Sequence, residues 1–321
     1  MSYTRFSAWT LCACLLSSCS SWNPTAVNFN SQGITLPQYT LIKGSFVLLG
    51  KQPDGDSVRF LPDNPALILG LDNGSRAAFS PDGTVQLRFE SIDAPELHYV
   101  GAGQPLGKYS RDLLLSKMGF KNLTYAADGM TVTGATPTTL RGAILSQQVE
   151  DYGRPVAYAM MDNNASAYLD GSSVNVGKTV LQKTLNYTML NIGAAYLTVY
   201  STTPSYHRDY LRDIARSART LAKGIWPKDM TASFALVDTT SVGEGGQLIL
   251  PKMFRRATDY FSDVKKGTFT GNLVDWLNAN PDRNDRVSVS GGPDQKLSDL
   301  VEQKGSAVTF KVDLLDVVFV K

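Results

Sequence analysis

The chain has 321 residues, of which 43% are hydrophobic, 10% aromatic and 19% charged. This length and composition exclude a disordered chain and leave room for one large or two smaller domains with a sizeable hydrophobic core. The net charge of +2 excludes a surface that is basic throughout, so any site for nucleic acid must be local.

The few cysteines and histidines narrow the chemistry further. All three cysteines lie near the N-terminus, at Cys12, Cys14 and Cys19. The rest of the chain therefore has neither a disulfide framework nor a cysteine metal cluster. With only two histidines, His98 and His207, mechanisms that need a pair of imidazoles plus a histidine metal ligand are also excluded.

The N-terminal segment has the layout of a secretory signal. Arg5 precedes an apolar run from Phe6 to Leu16, which is too short to span a bilayer as a stable helix. The Leu-Ser-Ser-Cys sequence that ends at Cys19 resembles the lipobox of bacterial lipoproteins. We interpret residues 1–18 as a signal peptide and Cys19 as a lipidation site. An ordinary cleaved signal peptide with incidental cysteines is the alternative.

The resemblance to a lipobox implies an exported, lipid-anchored protein of the cell envelope. Ser20, where an aspartate would act as a retention signal, indicates the outer membrane if the cell has two membranes. Residues 19–38 are rich in Ser, Asn, Pro and Thr, which is typical of a tether. If the lipid anchor is real, a Cys19→Ala protein leaves the membrane fraction; a variant that stays membrane-bound would contradict it.

After the tether, strand patterns precede most of the helical ones. The order predicts a small β-barrel with helices packed outside it. The predicted strands cover residues 39–49, 57–61, 84–92, 123–126, 130–133, 141–149 and 155–161, with an extra hairpin of short strands at 66–71 and 75–79. The predicted helices cover residues 105–120, 176–191 and 205–223.

The helix at 205–223 carries a row of basic side chains opposite its apolar positions. Such a row could guide a polyanion, or it could be a solvated face partly neutralised by Asp209 and Asp213. Its members are Arg208, Arg212, Arg216, Arg219 and Lys223.

The composition changes after residue 228. A Gly-rich break at 243–246 is followed by an amphipathic segment at 251–264 and a terminal strand pattern at 307–320. We predict a small appended α+β unit over residues 229–321, and no chemical motif is visible in it. One hypothesis is that this unit recruits the rest of the protein to a partner.

Two aspartates sit beside predicted strands. Asp56 follows Gly55, which can bend the chain tightly, and Asp93 follows the strand at 84–92. Carboxylates with few nitrogen or sulfur neighbours suit a hard cation such as Ca²⁺, with backbone carbonyls and water completing the ligand set. The alternative is that each aspartate is an ordinary turn residue.

Arginines and a glutamate accompany these aspartates. Arg88 lies within the predicted strand, where an unpaired charge would be costly, and Glu96 follows Asp93 across a proline. Arg154 comes far later in the chain. A cation, a carboxylate and two guanidinium groups are the parts needed for attack by water on a phosphodiester.

Three motifs in this order resemble the thermonuclease family of staphylococcal nuclease-like domains. They are DGDSV at residues 54–58, RFESIDAPE at 88–96 and DYGRPVAY at 151–158, and they are supported by KY at 108–109 and GIW at 224–226. The resemblance covers residues 39–228. It implies a five-stranded OB-fold barrel with three packed helices, dependence on Ca²⁺, and endonuclease activity on single-stranded or unpaired DNA and RNA without sugar specificity.

The resemblance also implies a role for each matched residue. Asp56, Asp93 and the carbonyl of Ala94 would bind the metal, and Glu96 would be the general base or would orient the water. The two residues that would stabilise the transition state are Arg88 and Arg154. The residue that would lie near the substrate phosphate is Tyr152.

The chain departs from the family pattern at several points. Residues 61–84 form an insertion between the two metal-binding motifs, and Asp151 stands where a lysine is common. The tyrosines of the base pocket match Tyr196 or Tyr200 only with a gap. The competing hypothesis to a nuclease is a catalytically silent OB-fold module that binds nucleic acid or protein at the envelope.

Overall fold

The computed structural model describes residues 35–321, of which Leu36–Lys321 form one compact unit. The predicted signal peptide, Cys19 and most of the tether lie outside the described residues. No helix in the described part is long and apolar enough to cross a membrane. The fold is mixed α+β with more strands than helices.

Eighteen strands, β1 to β18 in chain order, occur in residues 35–321: Gln38–Val47, Arg59–Pro62, Val85–Gln86, Arg88–Phe89, Ile92–Asp93, Lys121–Tyr125, Val132–Thr136, Thr139–Val149, Pro155–Met161, Ser173–Asn175, Tyr196–Leu197, Val199–Tyr200, Ser233–Ala235, Arg286–Val289, Gln295–Lys296, Val301–Lys304, Ala307–Phe310 and Val317–Phe319. Eight α-helices, α1 to α8, occur in the same range: Pro65–Leu69, Gly107–Met118, Asp162–Ala165, Lys178–Leu181, Leu185–Asn191, Ser205–Thr220, Pro251–Lys266 and Leu273–Ala279.

The largest sheet is a nearly closed barrel. Its strands follow the order β3, β2, β1, β8, β9, β4, and β10 also pairs with β1. The two strands at the ends of this path, β3 and β4, are separated in the chain by Leu87 alone. The sheet must therefore curl until its ends nearly meet. It has seven strands, against the five that the family resemblance implied.

Long, regular patterns predicted their elements well, and short apolar runs did not. Strands β1, β8 and β9 and helices α2 and α6 confirm the sequence predictions within a few residues. The hairpin predicted at 66–79 is wrong, because α1 and a 3₁₀ turn occupy that stretch. Asn64 caps α1 by accepting a hydrogen bond from the Ala66 N–H at 3.2 Å, and Pro65 supplies the first helical position.

More helices surround the barrel than the three that were expected. Residues 39–228 contain α1 to α6, of which α1, α3 and α4 are only four or five residues long. The helix predicted at 176–191 is divided into α4 and α5, because Thr184 caps a new helix by accepting a hydrogen bond from the Tyr187 N–H at 3.1 Å.

The C-terminal part shares a sheet with the rest of the chain. Strand β18 runs parallel to β12 and antiparallel to β14. Residues 229–321 thus contribute to the same compact unit as residues 39–228. The boundary near residue 228 stays a prediction from composition.

The basic row of α6 contacts the C-terminal part. Arg212 Nε donates to the carbonyl of Leu315 at 2.9 Å, and Arg219 donates to both carboxylate oxygens of Asp313 at 2.7 and 2.5 Å. Pairs within the helix, such as Arg212 with Asp209 at 2.9 Å, are also present. The predicted neutralisation by neighbouring aspartates is confirmed, and Asp313 adds to it.

A buried polar cluster lies where α6 packs on the barrel. The hydroxyl of Tyr39 donates to both carboxylate oxygens of Glu90 at 3.2 Å. His207 is fully buried and its Nε2 lies 2.8 Å from the carbonyl of Val176, so its Nδ1 accepts from the hydroxyl of Tyr158 at 3.1 Å. Burial raises the pKa of Glu90 to about 8, although the hydrogen bond from Tyr39 lowers it.

This raised pKa predicts a pH-dependent stability. Because the folded-state pKa of Glu90 exceeds its ordinary value of 4.5, the neutral carboxyl group supports folding fully below about pH 4.5. That contribution, on the order of 5 kcal/mol, is lost as the pH rises to about 8. We expect the free energy of unfolding of Glu90→Gln, measured in urea, to fall less over this range than that of the wild type. Equal slopes for the two proteins would contradict the prediction.

Candidate active site

The predicted site residues lie at one end of the barrel. Arg88 begins β4, which runs parallel to β9, and it pairs there with Val156. Asp93 ends β5, which pairs with β11. The backbone N–H of Phe89 donates to the carbonyl of Asp56 at 3.0 Å, which fixes the Asp56 turn beside β4. Two stretches that are far apart in the sequence are thereby joined.

Gly55 lets this turn pack against its surroundings. A Cβ atom at this position would lie 2.2 Å from Ser110 Oγ and 2.6 Å from the Cβ of Ala94. Gly55 was predicted to allow a tight bend, but its φ is not in the left-handed region, and close packing is what requires a glycine here. Any larger residue would push Asp56 away from Ala94.

We expect Gly55→Ala to lower the free energy of unfolding by about 1–3 kcal/mol, which is the usual cost of overpacking. Gly245→Ala is the matched control, because a Cβ there would meet nothing within 4 Å. Urea unfolding of both variants measures the difference. Equal stability of the two variants would show that the turn adapts to the extra methyl group.

The carboxylates of Asp56 and Asp93 lie next to each other and away from water. Asp93 is 1% exposed and Asp56 is 9% exposed. The backbone N–H of Ala94 donates to Asp56 Oδ2 at 3.3 Å, and Arg88 Nη2 lies 3.8 Å from Asp93 Oδ1. The structure therefore brings the two predicted metal carboxylates, Ala94 and the predicted transition-state arginine together.

Glu96 lies beside the same cluster on a loop that Gln104 holds in place. The N–H of Glu96 donates to Gln104 Oε1 at 3.1 Å, and the N–H of Gln104 donates back to the carbonyl of Glu96 at 2.8 Å. The side-chain amide of Gln104 also donates to the carbonyl of Ile249 at 2.8 Å. This loop thus contacts the segment that leads into α7.

Arg255 in α7 also belongs to the site, although the sequence did not predict it. Its Nη2 donates to Asp93 Oδ2 at 2.7 Å, its Nη1 donates to Asp93 Oδ1 at 3.2 Å, and Nη1 also contacts Glu96 Oε1. These partners are 162 and 159 positions away in the chain. No pattern around Arg255 in the sequence signals such a contact.

Burial and mutual repulsion set the pKa values of the carboxyl groups. Burial raises the pKa of Asp56, and the charge of Asp93 raises it further. Asp54, which was not assigned a role, has a pKa well above its ordinary value because of burial and the charges of Asp56 and Glu96. Burial also raises the pKa of Glu96 to about 7, against the opposing charge of Arg255. The arginines of the cluster do not fully offset the negative charge of its carboxylates.

Asp93 is the exception in this group. Burial alone would raise its pKa, but the charges of Arg255 and Arg88 outweigh burial and lower the pKa below its ordinary value. Asp93 therefore remains a carboxylate at neutral pH, held between two guanidinium groups.

The third motif lies near Arg88, because Glu150, the partner of Arg154, lines the same cavity as Arg88. Arg154 donates from Nε and Nη2 to the carboxylate of Glu150, at 2.8 and 3.2 Å. Tyr152 is 77% exposed on the adjoining turn. Asp151, where the family pattern favours lysine, pairs with Arg76 of the 61–84 insertion at 2.6 Å. The insertion thus packs on the turn that carries Arg154 and Tyr152.

The two tyrosines considered for a base pocket face the C-terminal part. Tyr196 is fully buried, and its hydroxyl donates to Asp229 Oδ1 at 2.9 Å. The hydroxyl of Tyr200 lies 3.3 Å from Lys252 Nζ in α7. Tyr196 therefore has no exposed surface on which a base could stack.

Among residues 35–321, no three or more His, Cys, Asp or Glu side chains are grouped so as to hold a metal ion. The predicted ligands that lie together are the carboxylates of Asp56 and Asp93 and the backbone around Ala94. Oxygen donors of this kind suit a hard cation such as Ca²⁺, with water completing the ligand set.

The chain matches no protein-family model and no curated protein. The comparison with thermonucleases therefore rests on the three sequence motifs and on the way the fold gathers Asp56, Arg88, Asp93 and Glu96 at one end of the barrel.

Proposed function

We propose that the protein is a calcium-dependent nuclease that hydrolyses phosphodiester bonds in DNA and RNA. The observation that carries the proposal is the buried group of Asp56, Asp93 and Glu96 with Arg88 beside it. Burial and repulsion raise the pKa of Asp56 and Glu96, so the group gains from an added positive charge. A hard divalent cation supplies that charge through oxygen ligands.

Each residue has a role that follows from its chemistry. Asp56, Asp93 and the carbonyl of Ala94 would hold Ca²⁺, which when bound offsets negative charge on the phosphate. Glu96 orients the attacking water by accepting its hydrogen bond and takes up its proton. Arg88 donates hydrogen bonds to phosphate oxygens, whose charge grows as the water attacks.

The roles of Arg154 and Tyr152 require a small rearrangement. Arg154 is paired with Glu150, so it would exchange this carboxylate for a substrate phosphate. Tyr152 is exposed on the same turn, where it can approach the nucleic-acid backbone. We propose single-stranded or unpaired substrates, because a net charge of +2 gives little general attraction to duplex DNA.

The nearly closed sheet supports an elaborated OB-fold barrel, in which two further short strands join a five-stranded core. Such barrels bind nucleic acid across an open face. For the whole protein we propose an exported, lipid-anchored location at the cell envelope, which rests on the sequence before Ser20.

One observation favours a catalytically silent binding module as the second candidate. Arg255 bonds to Asp93 and to Glu96, the residues that a nuclease would need for the cation and the water. If this contact were permanent, the site could not hold a metal. The protein would then bind nucleic acid or a protein partner without cleaving it.

Purified protein incubated with denatured DNA separates the two candidates. We expect fragments to appear with Ca²⁺ and not with EDTA, and we expect Glu96→Ala to abolish cleavage. Glu244→Ala is the control, because Glu244 is exposed and pairs with Lys108 at the surface. Retention of intact DNA by the protein, without cleavage, would support the silent module instead.

A further inference from the structure

Helix α7 is fixed against the candidate active site. At one end, the side-chain amide of Gln104 bonds to the carbonyl of Ile249 at 2.8 Å. Further along, Asp259 accepts hydrogen bonds from the hydroxyl of Tyr99 at 3.0 and 3.1 Å. The helix is thus held both before and after Arg255 by the loop that follows Glu96.

Two other basic residues of α7 pair with Asp285, which is not one of the site carboxylates. Lys252 Nζ lies 2.9 Å from Asp285 Oδ1, and Arg256 Nη2 lies 2.7 Å from Asp285 Oδ2. Both side chains therefore share one carboxylate of the C-terminal part. Among these three neighbours on α7, only Arg255 is paired with the site.

The guanidinium group of Arg255 uses the oxygens that a cation would need. It donates to both carboxylate oxygens of Asp93 and also contacts Glu96. Its side chain is 17% exposed, so the positive charge is only weakly screened by water. A divalent cation placed on Asp93 would meet like charge at close range, which is strongly unfavourable in a buried site.

We propose that Arg255 is a built-in competitor of the catalytic cation, so that calcium enters the site only when the Arg255 side chain leaves Asp93 and Glu96. This inference rests on the proposed function. The exchange needs no movement of α7, because Lys252, Arg256 and Asp259 keep their partners while one long side chain changes rotamer. Free calcium then sets the fraction of protein with an open site, and the C-terminal part acts as a regulator.

Calcium titration by isothermal calorimetry tests the proposal on the folded protein without residues 1–18, the predicted signal peptide. We expect Arg255→Met to bind Ca²⁺ with a dissociation constant about 10- to 100-fold lower than that of the wild type, within the usual range of coupling between competing ligands. Arg256→Met is the matched control, since it also loses a buried ion pair of α7 but leaves the site unchanged. Its affinity should equal that of the wild type.

Cleavage rates supply a second readout. At limiting calcium, Arg255→Met should cleave denatured DNA faster than the wild type, and the two rates should converge at saturating calcium. If Arg255→Met does not give a cooperative melting curve, Arg255→Lys replaces it. Lysine keeps the positive charge but loses the bidentate hydrogen bonding to Asp93. The calcium affinity of Arg255→Lys should therefore still exceed that of the wild type.

The outcomes separate the inference from the proposed function. Calcium binding of equal strength in the wild type and Arg255→Met overturns the competition and leaves the nuclease intact. A lower cleavage rate of Arg255→Met at saturating calcium also overturns it, because Arg255 would then assist the reaction. If neither protein binds calcium, the proposed function falls and the inference falls with it.

Discussion

Replacing Arg88 with methionine is expected to lower kcat for the cleavage of denatured DNA by about 100- to 1,000-fold, the usual effect of removing one donor to a developing negative charge. Arg88 is a candidate for this role because its guanidinium group lies 3.8 Å from the carboxylate of Asp93. Arg255, by contrast, forms a short ion pair with Asp93 at 2.7 Å. The guanidinium group of Arg88 can therefore turn to a phosphate without breaking a short ion pair.

The matched control for this variant is Arg141→Met. Arg141 pairs with Asp63 at the surface, and its side chain is half exposed, so its removal should leave the cleavage rate unchanged. Steady-state kinetics at saturating calcium measures both variants. A rise in KM with unchanged kcat for Arg88→Met would mean that Arg88 only binds the substrate, contrary to the role proposed for it.

Replacing Asp93 with asparagine is expected to lower the free energy of unfolding by about 3–5 kcal/mol, the usual cost of removing one partner of a buried ion pair. Asp93 is 1% exposed and accepts hydrogen bonds from Arg255, with Arg88 close by. Without the negative charge of Asp93, the guanidinium groups of Arg88 and Arg255 remain buried with less opposing charge. Urea unfolding in EDTA measures the loss.

A second substitution tests this explanation. In Asp93→Asn/Arg255→Met, the uncompensated guanidinium group is also removed, so the double variant should be less destabilised than the sum of its single variants. Strictly additive losses would show that Asp93 and Arg255 do not stabilise each other. Calcium is left out because it would stabilise whichever protein binds it.

The residues of the candidate site were predictable where they belong to local motifs. Asp56, Asp93 and Glu96 each lie beside a turn or a strand end whose residues are visible in the sequence, and the fold gathers them with Arg88 as expected. Short motifs carry this information because strand ends and turns depend on neighbouring residues. The predicted roles of Arg154 and Tyr152 stay predictions, since Arg154 is bonded to Glu150.

Arg255 could not be predicted from the sequence. Its contact with Asp93 depends on how α7 packs against the loop after β5, more than a hundred residues earlier in the chain. The amphipathic pattern at 251–264 coincides with α7 but does not say what its polar side faces. The pairing of β18 with β12 is hidden for the same reason, because both strands are only two or three residues long.

The insertion at 61–84 shows that the secondary structure of a short apolar segment is hard to predict from its sequence. Its run Ala-Leu-Ile-Leu suits a strand or a buried helical turn equally, and Asn64 and Pro65 decide in favour of a helix. The hairpin was predicted from the following Asp-Asn-Gly turn, without this cap. The mistake leaves the site unaffected, since the ion pairs of the insertion, such as Arg76 with Asp151 and Asp63 with Arg141, involve none of the site carboxylates.

The central claim is that this carboxylate cluster cleaves phosphodiesters when it holds calcium. The most direct measurement is the initial rate of cleavage of a single-stranded oligonucleotide as free calcium is raised from an EDTA-buffered start to saturation. We expect a rate that rises with calcium to a plateau and returns to background when EDTA is added. No cleavage at any calcium concentration, or cleavage that persists in EDTA, would contradict it.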